Sequence, residues 1–468
     1  KALLDWYLDM ALFELEKMRF WTHNPQLTGL ILSGLNTLLL KTHPSAEKRA
    51  FSMVKRLKGI SRLVEKIKTR VSEPVQLWVD SEIRACKTLS DFMATIPEAF
   101  SSISEGLVQA LSEAATDASK AMEEYRQWLE SIEGSPALPA NKGLYEELIL
   151  KRHLGMEANE IEELGKHYLQ ETQEILTELV TKLPGESVTE IRSNIRKKHP
   201  ASFEEALENY SQLAKRAKEF LIKNDILTIP PKENHQVMYT PPPIRHLMSL
   251  AGASPPGRYD DPQTGYFWCC PHDDPKMLLE HPNAWASILM THESYPGHNL
   301  HAVCANSQPS LVRTHAFARP SSNLGLMYPS QIAEIIEGWA LYCEEMMLEH
   351  GFEDNPANPN LEKQFSLINA VRWRAARMVI DVQLHTGRIT YEEAVDFLAS
   401  TVGFSETICR AEILMYSQSP GYFLSYLLGK HLLVNLKQEL DIPEKEFHDK
   451  IVYSGFVPFW FLKTYVFS

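Results

Sequence analysis

The chain predicts a mainly α fold with a small β-sheet, an α+β protein whose large helical N-terminal lobe spans residues 1–225 and whose second lobe spans 226–468. Three observations lead there. Apolar residues recur at helical spacing through nearly all of the first 225 residues. Between 226 and 282 the texture changes to clustered prolines with short alternating pieces among them. Helical spacing then returns and runs to about residue 440.

In order, the periodic stretches are residues 3–20, 30–40, 50–71, 75–93 and 103–132. A loop follows at 135–143, marked by its Pro and Gly content. Helix resumes over 144–183, stops at Pro184-Gly185 and returns over 202–223. Prolines gather at 230–231, 241–243 and 255–256, with strand-like pieces at 236–240 and 266–270. The later helices read as 283–295, 331–350, 361–386, 390–401, 405–416 and 421–440, and an aromatic tail at 452–467 packs down. No fixed-period repeat is visible, which disfavours a solenoid.

With 468 residues, 23% charged and 44% hydrophobic, the chain is an ordinary globular one. Its net charge of −13 argues against a nucleic-acid partner, which needs a basic face. No run approaches the roughly 18 apolar residues of a membrane span. Six cysteines do not make a disulfide framework at this length, and reduced thiols favour the cytoplasm. The chain opens at Lys1 without a Met, so a removed leader is compatible with it.

The most informative run is Thr-His-Glu-Ser-Tyr-Pro-Gly-His at residues 291–298. Two imidazoles with a glutamate beside the first are what zinc hydrolases use: the nitrogens bind the ion and the Glu deprotonates its water. The usual spacing between the two His is four residues, whereas His298 follows His292 by six. Six steps on an unbroken helix turn about 240°, which points the rings apart. Pro296-Gly297 predicts a break after Tyr295 that swings His298 back.

The third ligand is expected to be Glu337, on a helix that also carries Glu334 and Glu344 on roughly one face. The bland reading is a solvated acidic face. Apolar neighbours Ile335, Ile336, Trp339 and Leu341 tilt against it. One zinc per chain on His292, His298 and Glu337 leaves a position for water, with Glu293 as general base. Glu344 or Glu334 accepts the second N–H of a ligating imidazole. His301 competes with His298 as ligand. Adjacent Cys269 and Cys270 with His272 read as strand residues, since neighbouring cysteines do not easily reach one ion.

These motifs resemble the domain of unknown function 885 family, which itself looks like a branch of the gluzincin metallopeptidases. His-Glu-x-x-Pro-Gly-His at 292–298 and Glu-Gly-Trp-Ala-Leu-Tyr at 337–342 match its hallmarks. Arg374, Arg377, Asp381 and His385 match a later helix, and residues 420–430 a Pro-Gly…Ser-Tyr-x-x-Gly segment. The second hallmark is also similar to the Glu-Gly-Phe-Ala of zinc aminopeptidases, where the Glu is a ligand. Two departures stand out: Tyr422 replaces a usual Gln, and Met415 a common Arg.

The resemblance implies a gluzincin-like architecture whose helical first half roofs an active-site cleft. It also implies an edge strand, here carrying Tyr266 and Phe267, that pairs with the substrate backbone. The expected activity is hydrolysis of peptide bonds in short peptides. The alternatives are a metal-dependent hydrolase of another amide or ester, and a non-catalytic peptide-binding relative. A Tyr hydroxyl commonly assists the oxyanion; Tyr426 is the first choice and Tyr422, one turn earlier, the alternate. Arg374, Arg377, Asp381 and His385 fall at helical spacing, the last three every fourth residue; the alternatives are a polar network bordering the site that binds a peptide carboxylate through Arg and an intrahelical ion-pair ladder, and a structural network is the favoured reading.

Overall fold

A computed structural model describes residues 1–40, 44–139, 141–240, 251–315, 330–355 and 357–468. The expected proline cluster at 241–243 lies outside the described residues. Among those residues the chain is mainly helical, with a three-stranded mixed sheet. No described helix is long and apolar enough to cross a membrane.

The predicted helices are present with shifted ends or divided, the stretch 144–183 into Lys142–Lys151 and Ala158–Lys182. The stretch 50–71 is two helices, Ala46–Lys58 and Ile60–Arg70, meeting at Gly59. The stretch 75–93 runs on as Gln76–Ala99, and the next helix is Glu105–Ser131. A helix not anticipated from sequence, Val188–Arg196, is capped by Ser187, whose side chain accepts from the Glu190 N–H, and buries Ile191 and Ile195. The tail adds a helix, Glu444–Tyr453, and buries Val457, Phe459, Phe461 and Leu462.

The strands are β1 (Glu233–Tyr239), β2 (Ala251–Ser254) and β3 (Gln263–Cys269), in the order β1-β3-β2. β1 runs parallel to β3, Glu233 opposite Gln263 and Tyr239 opposite Cys269. β2 runs antiparallel to it, Ser254 opposite Tyr266. This corrects one expectation. The strand bearing Tyr266 and Phe267 is the central strand, hydrogen-bonded on both sides, so it has no free edge for a substrate backbone. Phe267 is buried against Tyr210, with ring centroids 4.9 Å apart. Ala-Gly-Ala-Ser has no large or alternating side chains, so β2 left no strand signal in the sequence.

One core gathers residues 3–227 and 267–462, so segments of both expected lobes pack together. A second core, within residues 27–129, belongs wholly to the first. The helix Ala333–Glu349 crosses the helix Ser425–Glu439 at a glycine contact. A Cβ on Gly338 would lie 2.5 Å from the Gly429 Cα, and one on Gly429 2.0 Å from the Glu334 carbonyl oxygen. The two backbones therefore touch, which brings the segment before Ser425 beside Glu337.

Replacing a helical Gly by Ala ordinarily stabilises by about 0.5–1 kcal/mol. Here the sign is reversed: Gly429→Ala is expected to destabilise by about 1–3 kcal/mol, the cost of overpacking, read from urea unfolding. An unchanged or raised midpoint would contradict the contact.

Candidate metal centre

The helix Asn283–Glu293 stops at Ser294, whose φ −120° and ψ −78° leave the helical region. The next helix begins at His298. The break thus comes after Glu293, two residues earlier than the sequence suggested. Gly297 folds back against the last turn: its N–H donates to the Thr291 carbonyl at 3.0 Å. A Cβ there would fall 1.8 Å from the His292 carbonyl oxygen, so no other residue fits without moving the chain. The Trp339 indole donates to the Pro296 carbonyl at 2.9 Å and ties the turn to the Glu337 helix. The result brings the His292 and His298 rings to 4.7 Å between centroids, at 88°.

Glu337 and Glu344 are seven residues apart on Ala333–Glu349, within about 20° of one face. Glu337 Oε2 lies 3.7 Å from His292 Nε2 and 3.4 Å from His298 Nε2. That oxygen is buried and has no hydrogen-bond partner. The other oxygen, Oε1, accepts from the Tyr422 hydroxyl at 2.6 Å. On the far side of the ring, His292 Nδ1 meets Glu344 Oε1 at 2.7 Å. Glu344 therefore occupies the place expected for the carboxylate that fixes the imidazole.

Burial opposes a charged His292 imidazolium. The close contacts with Glu337 and Glu344, with the charges of Glu344 and Glu293, outweigh it and raise its pKa to about 10. Burial likewise opposes the Glu337 carboxylate, but the charge of His298 and the close approach of both imidazoles hold its pKa well below the usual range.

One ligand atom from each of His292, His298 and Glu337 lies within 4.8 Å of the others, the one such group among the described residues. Two imidazole nitrogens and an otherwise partnerless carboxylate oxygen are the donor set of a catalytic zinc site with a coordination position to spare. The residues fit a divalent cation. His301 is not in the group. Its ring packs toward Phe456 (5.1 Å) and Trp339 (6.1 Å), and burial lowers its pKa to about 3. Glu293, half-buried at the end of its helix, is near enough for its charge to act on His292.

Glu334 corrects a second expectation. Its carboxylate meets the Arg152 guanidinium at 2.6 Å, both side chains fully buried, and no ligating imidazole. It sits about 60° around the helix from Glu337, far enough to be taken by a cation from another segment. Arg152 also donates to the Gly421 carbonyl at 2.5 Å and the Ser425 hydroxyl at 2.9 Å. From the opposite side Asp381 accepts the Gly421 N–H at 2.9 Å, the Leu424 N–H at 3.4 Å and the Tyr145 hydroxyl at 2.8 Å.

The turn carrying Tyr422 is thus clamped by one buried cation and one buried anion. Tyr422 touches the Glu337 carboxylate directly, whereas Tyr426 stands one ring behind it, 6.0 Å away and 4.7 Å from Arg377. The expected ladder of Arg377, Asp381 and His385 is a structural network, but its members leave their own helix. Arg377 pairs with Glu412 at 3.0 Å and His385 Nε2 with the Tyr416 carbonyl at 3.1 Å. Arg152 carried no sequence signal, being one basic residue among several near a helix end.

Arg152→Met strands Glu334 as a buried, unpaired charge and is expected to cost about 3–5 kcal/mol of unfolding free energy. The double change Arg152→Met with Glu334→Met should recover most of it. A loss below about 1 kcal/mol, the worth of an exposed pair, would contradict the buried clamp.

Comparison with known proteins places this geometry in a family. The profile described as bacterial protein of unknown function (DUF885) matches residues 1–466. Two solved structures share the fold, each described as a "putative lipoprotein". That from Colwellia psychrerythraea has a TM-score of 0.76 at 19% identity, covering 92% of this chain and 77% of its own. That from Shewanella oneidensis, described as of unknown function, has a TM-score of 0.73 at 21% identity, covering 99% and 86%. At these identities the likeness shows the fold alone. A search of curated proteins finds no match. The chain belongs to the DUF885 family of bacterial proteins.

Proposed function

We propose that the protein is a zinc-dependent hydrolase that cleaves peptide bonds in short peptides. The observation that carries this reading is the convergence of His292 Nε2, His298 Nε2 and the partnerless Glu337 Oε2. The metal would be held by these three groups, and when bound it supplies Lewis acidity and a water acidic enough to ionise near neutral pH. Glu293 would serve there as general base and as proton carrier to the leaving amine. Glu344 keeps the His292 Nδ1 proton in place, which leaves Nε2 free as a donor of electrons. Tyr422 pins Glu337 through Oε1, so a single oxygen faces the ion. Tyr426, next to Tyr422, remains the candidate donor to the oxyanion.

The choice of peptide over another amide or ester rests on the motif likeness to gluzincin peptidases. Glu293 speaks against a merely binding role, because binding needs no general base. The lipoprotein descriptions of the two fold relatives favour a site outside the cytoplasm.

Glu293→Gln is expected to keep zinc and lower turnover of a mixed peptide library by about 10²–10⁴-fold. Undiminished turnover would remove the proposed base. The pH dependence of metal uptake follows from His292. Its pKa of about 10 means the metal-free imidazole is protonated at neutral pH. A cation must displace that proton, so zinc affinity rises with pH toward 10, by about tenfold per unit while one proton is released. Calorimetry at pH 7.5 in buffers of different ionisation heat should report close to one proton released from the protein's imidazole; none would contradict the assignment.

A further inference from the structure

Arg374 lies on the helix Leu361–His385 and is buried, at 5% exposure. Its Nε has no partner, and Nη1 donates only to the Ala370 carbonyl at 3.3 Å. A guanidinium taken out of water at such a place costs several kcal/mol unless an anion offsets it, on the order of magnitude of a buried ion. Among the described residues its one ion pair is Glu344, with Nη2 3.7 Å from Oε1. That oxygen is the one 2.7 Å from His292 Nδ1.

The guanidinium is wedged between two indoles, 5.0 Å from the Trp373 ring and 5.9 Å from the Trp285 ring. Trp285 is two helical turns before His292, on the same face of its helix. Three elements therefore meet here: the His292 helix, the Glu344 helix and Arg374. The neighbouring cations are otherwise engaged. Arg377 is matched by Glu412 and Arg152 by Glu334.

We infer that Arg374 is a positioning residue of the metal centre, which holds the Glu344 side chain in place against His292 Nδ1 and so keeps Nε2 turned to the cation. This rests on the metal reading above. A carboxylate only accepts hydrogen bonds, so it commits the Nδ1 nitrogen to N–H and leaves the Nε2 lone pair outward. The second Glu344 oxygen is also buried and without a hydrogen-bond partner, and Arg374 is the one guanidinium paired with that carboxylate among the described residues.

The test is zinc affinity of the full chain, by competition with a chromophoric chelator at fixed pH, with the thermal midpoint measured alongside. Arg374→Met should weaken zinc by about 10–100-fold, and Arg374→Lys, which keeps the charge, should stay within about threefold of the parent. Glu344→Gln should lose as much as Arg374→Met, and the double variant no more than either alone, because one acts through the other. If Arg374→Met does not fold, Arg374→Gln is read against the same limits. Unchanged affinity in the neutral variants, equal losses in the Lys and Met variants, or losses that multiply in the double variant would each overturn the inference. A parent chain that takes up no zinc overturns the metal reading and this inference with it, whereas zinc uptake indifferent to Arg374 overturns the inference alone.

Discussion

The fold-back of the chain onto the carbonyl of His292 at Gly297 is the constraint on which the centre depends. Without it the second imidazole would start a helix pointing elsewhere, and Glu337 would face one ring rather than two. Every other support acts on this arrangement from outside. Trp339 ties the turn to the Glu337 helix, and the Tyr295 hydroxyl, within the turn, donates to buried Glu233 on β1. Glu233 in turn meets Lys218 from the helical first half.

A second close approach works with the first. Gly338 and Gly429 let two helices touch at their backbones, which delivers Tyr422 to the free side of Glu337. The buried pair Arg152–Glu334 and the anion Asp381 then hold that delivery in register. The N-terminal segment supplies Arg152 and Tyr145, so in the described residues it buttresses the helices that carry the His/Glu cluster from behind. Stability and site geometry are thus carried by the same contacts.

The convergence of His292, His298 and Glu337 was legible in the sequence because the signals for it are local. His292 and His298 share one short run with the Pro-Gly that joins them, and the seven-residue interval from Glu337 to Glu344 fixes a common helical face. What was not legible depends on distant partners. Glu334 looked equivalent to Glu344, and only the arrival of Arg152 from far upstream separates their roles. The resemblance implied an edge position for β3, and its second neighbour, Ala251–Ser254, has no side chains that betray a strand and could have corrected it. Helix ends slipped where a single residue decides them, as at Gly59 and Ser294. Tyr426 ranked first for its place in the Ser-Tyr-x-x-Gly segment; residues 421–424 read as helix, whereas the helix begins at Ser425 and the turn before it aims Tyr422 at the carboxylate.

The most direct test of the account is a crystal of the protein grown with zinc and measured on both sides of the zinc absorption edge. The account predicts one strong anomalous peak per chain, bonded by His292 Nε2, His298 Nε2 and Glu337 Oε2, with a water completing the shell. No peak between those atoms, or one held by His301 or by other residues, would contradict it.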